Sequence, residues 1–506
     1  MHNARRTLIF HAAFCMGLSL HAAEELRLPS TDVHYKQVST YIEEKPVADY
    51  PHAPQDALEA FRDVKFAIRI HWGLYSVWGE GHESWPLLKY TDEKRQRYQE
   101  LAKTWNPQAF DAEAWMRFFT RSGIRMFAFT TKHHDGFSLF DTQTRITQRI
   151  DWTAPGGPAI VPCNTAFSVM ETPFHRDIVA ELCSAAQRHA IRTILYYSHP
   201  DWYDADFRPY CFHPAATPAA QADPKRFGNT RPSKGFVAPE LTADATARMI
   251  ARHRMQVKEL VTRYGFIDGI CLDMWLGPDV WPALRETMLE LRACAPKTLF
   301  RARGIGNYGD YYTPEGFVPG AKENTTMPWM VIYPLGKSFS YMTNDTFKGS
   351  AWIITNLVDT VAKGGNFMPA IGPDAEGRFA PEAVRQFEEA GDWLAVNGEA
   401  IYATRPRSGD HWQEGANIRF TRSKDGRTIY VLCLAWPGET LTITSVQPTA
   451  GTTIYLLGAP DPLPWRYETH AQTRLAITLP KSYQDPAQRP CTTAWAFKIT
   501  AVDDAH

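Results

Sequence analysis

The 506-residue sequence lacks most of the features that assign a function quickly. It has no charge imbalance: 54 Lys and Arg stand against 55 Asp and Glu, for a formal net charge of −1. That removes the electrostatic case for a nucleic-acid partner or an anionic membrane surface. There is no cysteine framework either. Cys15, Cys163, Cys183, Cys211, Cys271, Cys294, Cys433 and Cys491 are scattered, without the paired spacing of a zinc site or a disulfide scaffold. One or two disulfides stay open as an expectation for an oxidising compartment. Neither a G-x-S-x-G elbow nor a P-loop is present, which sets aside the serine-hydrolase and P-loop classes. Beyond the N-terminus no stretch spans a membrane.

Aromatics, by contrast, are plentiful, with 16 Trp and 21 Tyr. Sugar C–H faces stack well on such rings, although a large aromatic core uses the same residues. The length suits two or three domains. At the N-terminus, "MHNARRTLIFHAAFCMGLSLHAAEE" joins a basic start at Arg5 and Arg6 to a short apolar run and small residues at Ala22 and Ala23. This is the pattern of a signal peptide over 1–23, so the chain is expected to be exported to the periplasm or beyond the cell.

From "KFAIRIHWG" onward, strand-like apolar runs alternate with helical patterns such as "FDAEAWMRFFTRSG", "FHRDIVAELCSAAQRHA" and "ATARMIARHRMQVKELVTRYG". The rhythm predicts parallel strands with helical crossovers. Polar residues gather just after the apolar runs: His71, His133, His134, Tyr197, Asp273 and Arg303. Chemistry at the C-terminal ends of successive strands is the habit of a (β/α)8-type, TIM-like barrel, expected over 24–404. A doubly wound open sheet is the weaker alternative, because no Gly-rich loop follows the first strand. After residue 405 short alternating strands predict a small antiparallel β-sandwich over 405–506. The stretches 143–174 and 207–238 read as long excursions over the barrel mouth.

Asp273 ends the apolar run "IDGICLDMW". A carboxylate there must be offset by hydrogen bonds or used in a site, and it suits a glycosidase nucleophile as well as a helix cap or a structural ion pair. A retaining glycosidase needs a second carboxyl group about 5 Å away. Glu315 in "YYTPEGF", Glu323 in "AKENTT" and Glu83 in "GHESWP" are the candidates; each alone also reads as a solvated surface acid. His71, His133 and His134 are poorly spaced for a metal. Adjacent strand residues point to opposite sides, so His133 and His134 face one point only if the strand has ended. Neutral imidazoles pair readily with sugar hydroxyls, and structural histidines are the alternative.

Several of these stretches together resemble the α-L-fucosidases of glycoside hydrolase family 29, from about Lys65 to Pro406. "KFAIRIHWGLYSVWGEGHESW" is similar to the family's "KFGIFIHWGLYSVP…EW", and "FAFTTKHHDGFSLFDT" to "VVLTTKHHDGFCLWDS". "YGFIDGICLDMW" resembles "YGPIDVLWFDG", and "LVDTVAKGGNFMPAIGP" resembles "LVDVVSKGGNLLLNIGP". The resemblance implies a barrel plus a C-terminal β-sandwich and a retaining mechanism needing neither metal nor cofactor. It places Asp273 as nucleophile, with His71, His133, His134, Tyr197, Trp85, Trp275 and Arg303 as substrate contacts. Three departures stand out. Met330 occupies the glutamate of a "W-E-T-C" motif, Met274 replaces the glycine after the nucleophile, and Ala370 replaces an asparagine. Members acting on branched α-1,3/1,4-linked fucose carry their acid/base in a "T-P-E"-like loop, which Glu315 matches. The expected substrate is a fucosylated oligosaccharide or glycoconjugate. A related α-L-sugar such as an α-L-galactoside, or a non-catalytic sugar-binding role, is the alternative.

Overall fold

Alternating apolar strands and amphipathic helices build the larger part of the molecule. The computed structural model describes residues 26–29, 33–223, 230, 233, 236–319, 326–407, 409–469 and 473–502. The signal-peptide stretch, Cys15 and Glu323 lie outside the described residues. Strands β1 (Ala67–Ile70) and β2 (Met126–Lys132) are followed by a hairpin of β3 (Ile146–Asp151) and β4 (Ala159–Thr165). Then come β5 (Arg192–Ser198), β6 (Gly269–Asp273), β7 (Leu299–Phe300), β8 (Met330–Pro334) and β9 (Asn366–Ile371). Apart from the hairpin these pair in parallel, in the order β7-β6-β5-β2-β1-β9-β8.

The crossover helices form where the sequence pattern places them. Ala112–Arg121 starts at Asp111, whose side chain accepts from the Ala114 N–H, and buries Trp115, Met116, Phe118 and Phe119. Each such aromatic contributes about 1.5–3 kcal/mol on burial. Ile178–Arg188 is capped by Asp177 and Ala243–Thr262 by Thr242 in the same way.

The apolar stretch "KTLFRARG" forms a regular strand for only two residues. The chain turns at Gly304 and Gly306, both at positive φ, and returns as residues 311–315. These residues fill the gap between β7 and β8 with parallel bridges Arg301↔Tyr311, Tyr312↔Trp329 and Glu315↔Ile332. An irregular segment therefore occupies the eighth position of the barrel, and it carries Glu315.

Beyond the barrel lie β10 (Gln413–Glu414), β11 (Ile418–Arg422), β12 (Thr428–Cys433), β13 (Thr440–Ile443), β14 (Ile454–Leu456), β15 (Trp465–Glu468), β16 (Arg474–Thr478) and β17 (Trp495–Thr500). They form a five-stranded sheet β10-β11-β12-β17-β14 and a three-stranded sheet β13-β16-β15. Phe420, Val431, Ile443, Leu475 and Phe497 fill the core of this unit. The short β10 and β15 have no counterpart in the sequence reading. Trp393 Nε1 on helix Pro381–Asn397 donates to the Ala494 carbonyl at 2.9 Å, and Arg419 pairs with Asp359 at 2.8 Å, tying the unit to the barrel.

The two excursions pack on each other. Ile150 and Trp152 of the hairpin meet Ala205, Ala215 and Ala238 in one small apolar cluster. The open expectation of one or two disulfides is corrected among the described residues: Cys163, Cys183, Cys271, Cys294, Cys433 and Cys491 are free and spread over separate elements. No helix among the described residues is long and apolar enough to cross a membrane.

Candidate active site

Side chains alternate along a strand, so every second residue points into the barrel. Near the C-terminal end this gives two polar layers: Arg69, Tyr196, Cys271 and Arg301, then His71, Ser198, Asp273 and Arg303. Contacts confirm both layers. Arg69 lies 4.7 Å over the Tyr196 ring, and Arg69 and Arg301 both donate to the Cys271 sulfur. Above them opens a cavity of about 120 Å³, lined by Glu83, Trp85, His133, Asp273, Arg303, Glu315 and their neighbours.

Asp273 is the most strongly held group. Its Oδ1 accepts from Arg303 Nη1 at 2.9 Å and from Arg301 Nη1 at 3.5 Å, and its Oδ2 accepts from the Tyr196 hydroxyl at 2.7 Å. Burial alone would raise its pKa, but the charges of Arg303 and Arg301 outweigh it and hold the group well below the usual carboxylate range. Asp273 is therefore ionised, as a nucleophile must be. Met274 follows at φ +64, the left-handed region that favours glycine.

Arg303 also reaches Glu315, with Nη2 2.6 Å from Oε2. One guanidinium thus spans both carboxylates and caps the gap between the paired oxygens at roughly 8 Å, a window containing the ~5 Å of retaining glycosidases. Glu315 sits at the cavity rim with its side chain 37% exposed. Burial raises its pKa and Arg303 lowers it further, so the net shift is downward. Glu83 is the opposite case. It is 7% exposed, and burial pushes it up to about 7 against the partial relief of Arg69. Its Oε1 has no hydrogen-bond partner. Both Glu83 and the preceding His82 have positive φ, backbone strain of the kind that collects at functional sites.

β2 ends at Lys132, after a register shift at Thr130, so His133 and His134 both turn to the site, with ring centroids 4.1 Å apart. His133 Nδ1 bonds Ser84 Oγ at 2.5 Å, leaving Nε2 for a ligand. His134 Nδ1 bonds Ser198 Oγ, and its unpartnered Nε2 lies 4.0 Å from Asp273 Oδ2. Burial keeps both rings neutral; His134 falls to about 4. His71 lines the cavity, but its nitrogens are engaged, Nδ1 with Thr130 Oγ1 at 2.8 Å and Nε2 with Arg69 Nε at 2.6 Å.

Trp85 forms a wall, edge-to-face with His134 at 4.8 Å. Trp275 stands away from the lining residues, packed on Phe212 at 5.9 Å. Tyr197 does not face the nucleophile. Strand alternation turns it outward, where its hydroxyl donates to Gln256 on helix Ala243–Thr262, and Tyr196 takes the inward place. Sequence reasoning missed Tyr196, Arg69 and Phe339. The period of two, counted back from Asp273's partner Ser198 and from His71, identifies the first two.

A buried ionised aspartate facing carboxyl groups inside a (β/α) barrel, with neutral histidines around a monosaccharide-sized cavity, defines a glycoside hydrolase. The family model described as Alpha-L-fucosidase matches residues 44–399, and that described as Alpha-L-fucosidase C-terminal domain matches 413–500. The chain belongs to the α-L-fucosidase family. It is 27% identical to human tissue alpha-L-fucosidase, over 90% of this chain and 91% of that one. Among solved structures, alpha-L-fucosidase isoenzyme 1 from Paenibacillus thiaminolyticus superposes with a TM-score of 0.68 at 23% identity, covering 89% of this chain and 99% of the other. A family 29 α-L-fucosidase of Bacteroides thetaiotaomicron, trapped as a covalent intermediate with 2-fluoro-fucosyl fluoride, gives 0.67 at 21% identity, covering 89% and 98%.

Proposed function

We propose that the chain releases terminal α-L-fucose by double displacement, with Asp273 as nucleophile and Glu315 as acid/base. The observation that carries this is the single guanidinium of Arg303 bridging an ionised aspartate and a rim glutamate. Asp273 attacks the anomeric carbon while Glu315 gives a proton to the leaving oxygen, a step that requires Glu315 to take up that proton against the downward pull of Arg303. Asp273 loses its charge in the glycosyl-enzyme, which leaves Arg303 to stabilise Glu315 as the carboxylate base that activates water. The trapped intermediate of the Bacteroides enzyme supports the same two-step course.

Glu83 is the second reading for the proton donor, favoured by its raised pKa and unpartnered oxygen. Azide rescue separates the two. Glu315→Ala is expected to lose turnover and regain part of it with azide, whereas rescue of Glu83→Ala alone moves the role to Glu83. The apolar side chains of Ile332 and Phe339 in the cavity wall favour the fucose methyl over the hydroxymethyl of an α-L-galactoside. Hydrolysis of aryl α-L-fucoside well above aryl α-L-galactoside is the expected result. The match of Glu315 to the "T-P-E" loop supports α-1,3/1,4-linked, branched substrates, and a panel of fucosylated oligosaccharides of differing linkage tests this. The basic, apolar and small-residue order of the N-terminus supports export; N-terminal sequencing of the mature protein tests cleavage near Ala23.

A further inference from the structure

We propose that His199 and His253, which lie outside the sugar cavity, form a directional hydrogen-bond wire that fixes the Arg303 turn against the Asp273 strand end. The inference rests on the reading of Arg303 as the bridge between nucleophile and acid/base. Both histidines are positioning residues.

His199 follows β5, and its backbone N–H donates to the Asp273 carbonyl at 3.0 Å. Its ring Nε2 lies 3.4 Å from the Arg303 carbonyl, and its Nδ1 lies 3.0 Å from Nε2 of His253 on helix Ala243–Thr262. The two rings stack at 5.2 Å with 15° between planes. One residue therefore ties the end of β6, through its backbone, to the turn after β7 and a crossover helix, through its ring.

The proton positions follow from the partners. A carbonyl only accepts, so His199 Nε2 carries a hydrogen. Burial depresses the His199 pKa to about 4 and keeps the ring neutral, which leaves Nδ1 bare. Nδ1 must then accept, so His253 Nε2 is the donor. The order runs from His253 to His199 to the Arg303 carbonyl. The charged groups facing the pair are Asp273, Lys132, Arg252 and Arg254. Gly304 makes the room: at φ +76, a Cβ there would lie 2.8 Å from the His199 ring and 2.5 Å from the Met274 carbonyl oxygen. Arg303 holds two carboxylates from this turn, so a small displacement of its backbone loosens both contacts.

The test compares His253→Phe with His253→Gln in the full chain. Phe removes the donor to His199 Nδ1, whereas the Gln amide can still supply one. With an aryl α-L-fucoside, His253→Phe is expected to lower kcat about tenfold or more, with KM changed less than about threefold. The acid limb of kcat/KM should move to higher pH as Asp273 loses part of its guanidinium contact, against an unchanged background of Arg301, Arg69, His134 and Tyr196. His253→Gln should restore most of kcat and the limb. Equal losses in both variants, or an unmoved acid limb, overturn the wire. If Asp273→Gly keeps turnover, the reading of the site fails and the wire falls with it; if Asp273→Gly is inactive while His253→Phe is unaffected, only the wire fails. Should His253→Phe not fold, imidazole ¹⁵N shifts of the unsubstituted protein decide: protonated Nε2 on both rings supports the wire, and protonated Nδ1 on His199 overturns it.

Discussion

Glu83 and Asp273 line one cavity yet are driven in opposite directions, because three arginines face Asp273 while Glu83 is buried with one oxygen unpaired. This has a consequence for stability. The folded pKa of Glu83, about 7, exceeds the ordinary 4.5, so the folded protein binds the proton more tightly than the unfolded chain. The contribution is fully present below about pH 4.5 and is lost as pH rises to 7. Replacing Glu83 by Gln, which cannot ionise, should raise stability relative to the unsubstituted protein at pH 8 by up to about 3 kcal/mol more than at pH 4.5. Thermal unfolding at the two pH values checks this; a difference independent of pH contradicts it. At this scale much was legible in the sequence. Asp273, Arg303, His133 and His134 stand together, as their positions after strand ends imply, and Glu315 and Trp85, expected from the resemblance, line the same cavity. Tyr197 and Tyr196 show the limit, since a motif carries a residue to within one position and only the strand register decides which of two neighbours faces inward.

At the scale of elements, the decisive piece is the segment 311–315, which holds Glu315 in the barrel wall without being a regular strand. Gly316 follows it at φ +76 and donates its N–H to the Ile332 carbonyl at 3.0 Å. Gly316→Pro removes that donor and demands φ near −65°. The substitution should displace Glu315 and lower kcat about tenfold or more, with far-UV circular dichroism unchanged. Retained kcat would mean that Glu315 does not need this anchor. The alternation of strands and helices was readable because apolar periodicity records burial. The closure between β7 and β8 was not, because its bonds are isolated bridges between segments with no period of their own. The end of β2 was equally hidden, although the orientation of both His133 and His134 depends on it.

At the scale of the whole molecule, the barrel and the β-sheet unit share buried surface. Tyr430, Leu432, Leu457, Ala494 and Ala496 of the C-terminal unit belong to the same apolar cluster as the barrel core. Lys498 and Tyr430 both bond Glu399 at the end of the last barrel helix. Such an interface couples the two units, so calorimetry should show a single unfolding transition in which the calorimetric and van't Hoff enthalpies agree. Two resolved transitions would show that the C-terminal unit is an independent attachment.

The central claim, that Asp273 carries the sugar between two half-reactions, is tested most directly by trapping. Incubation with 2-fluoro-fucosyl fluoride, followed by intact-mass measurement and peptide mapping, should show one added fluoro-fucosyl group on the peptide containing Asp273 and none in Asp273→Gly. A label on another carboxylate, or continued turnover of fucoside by Asp273→Gly, would contradict it.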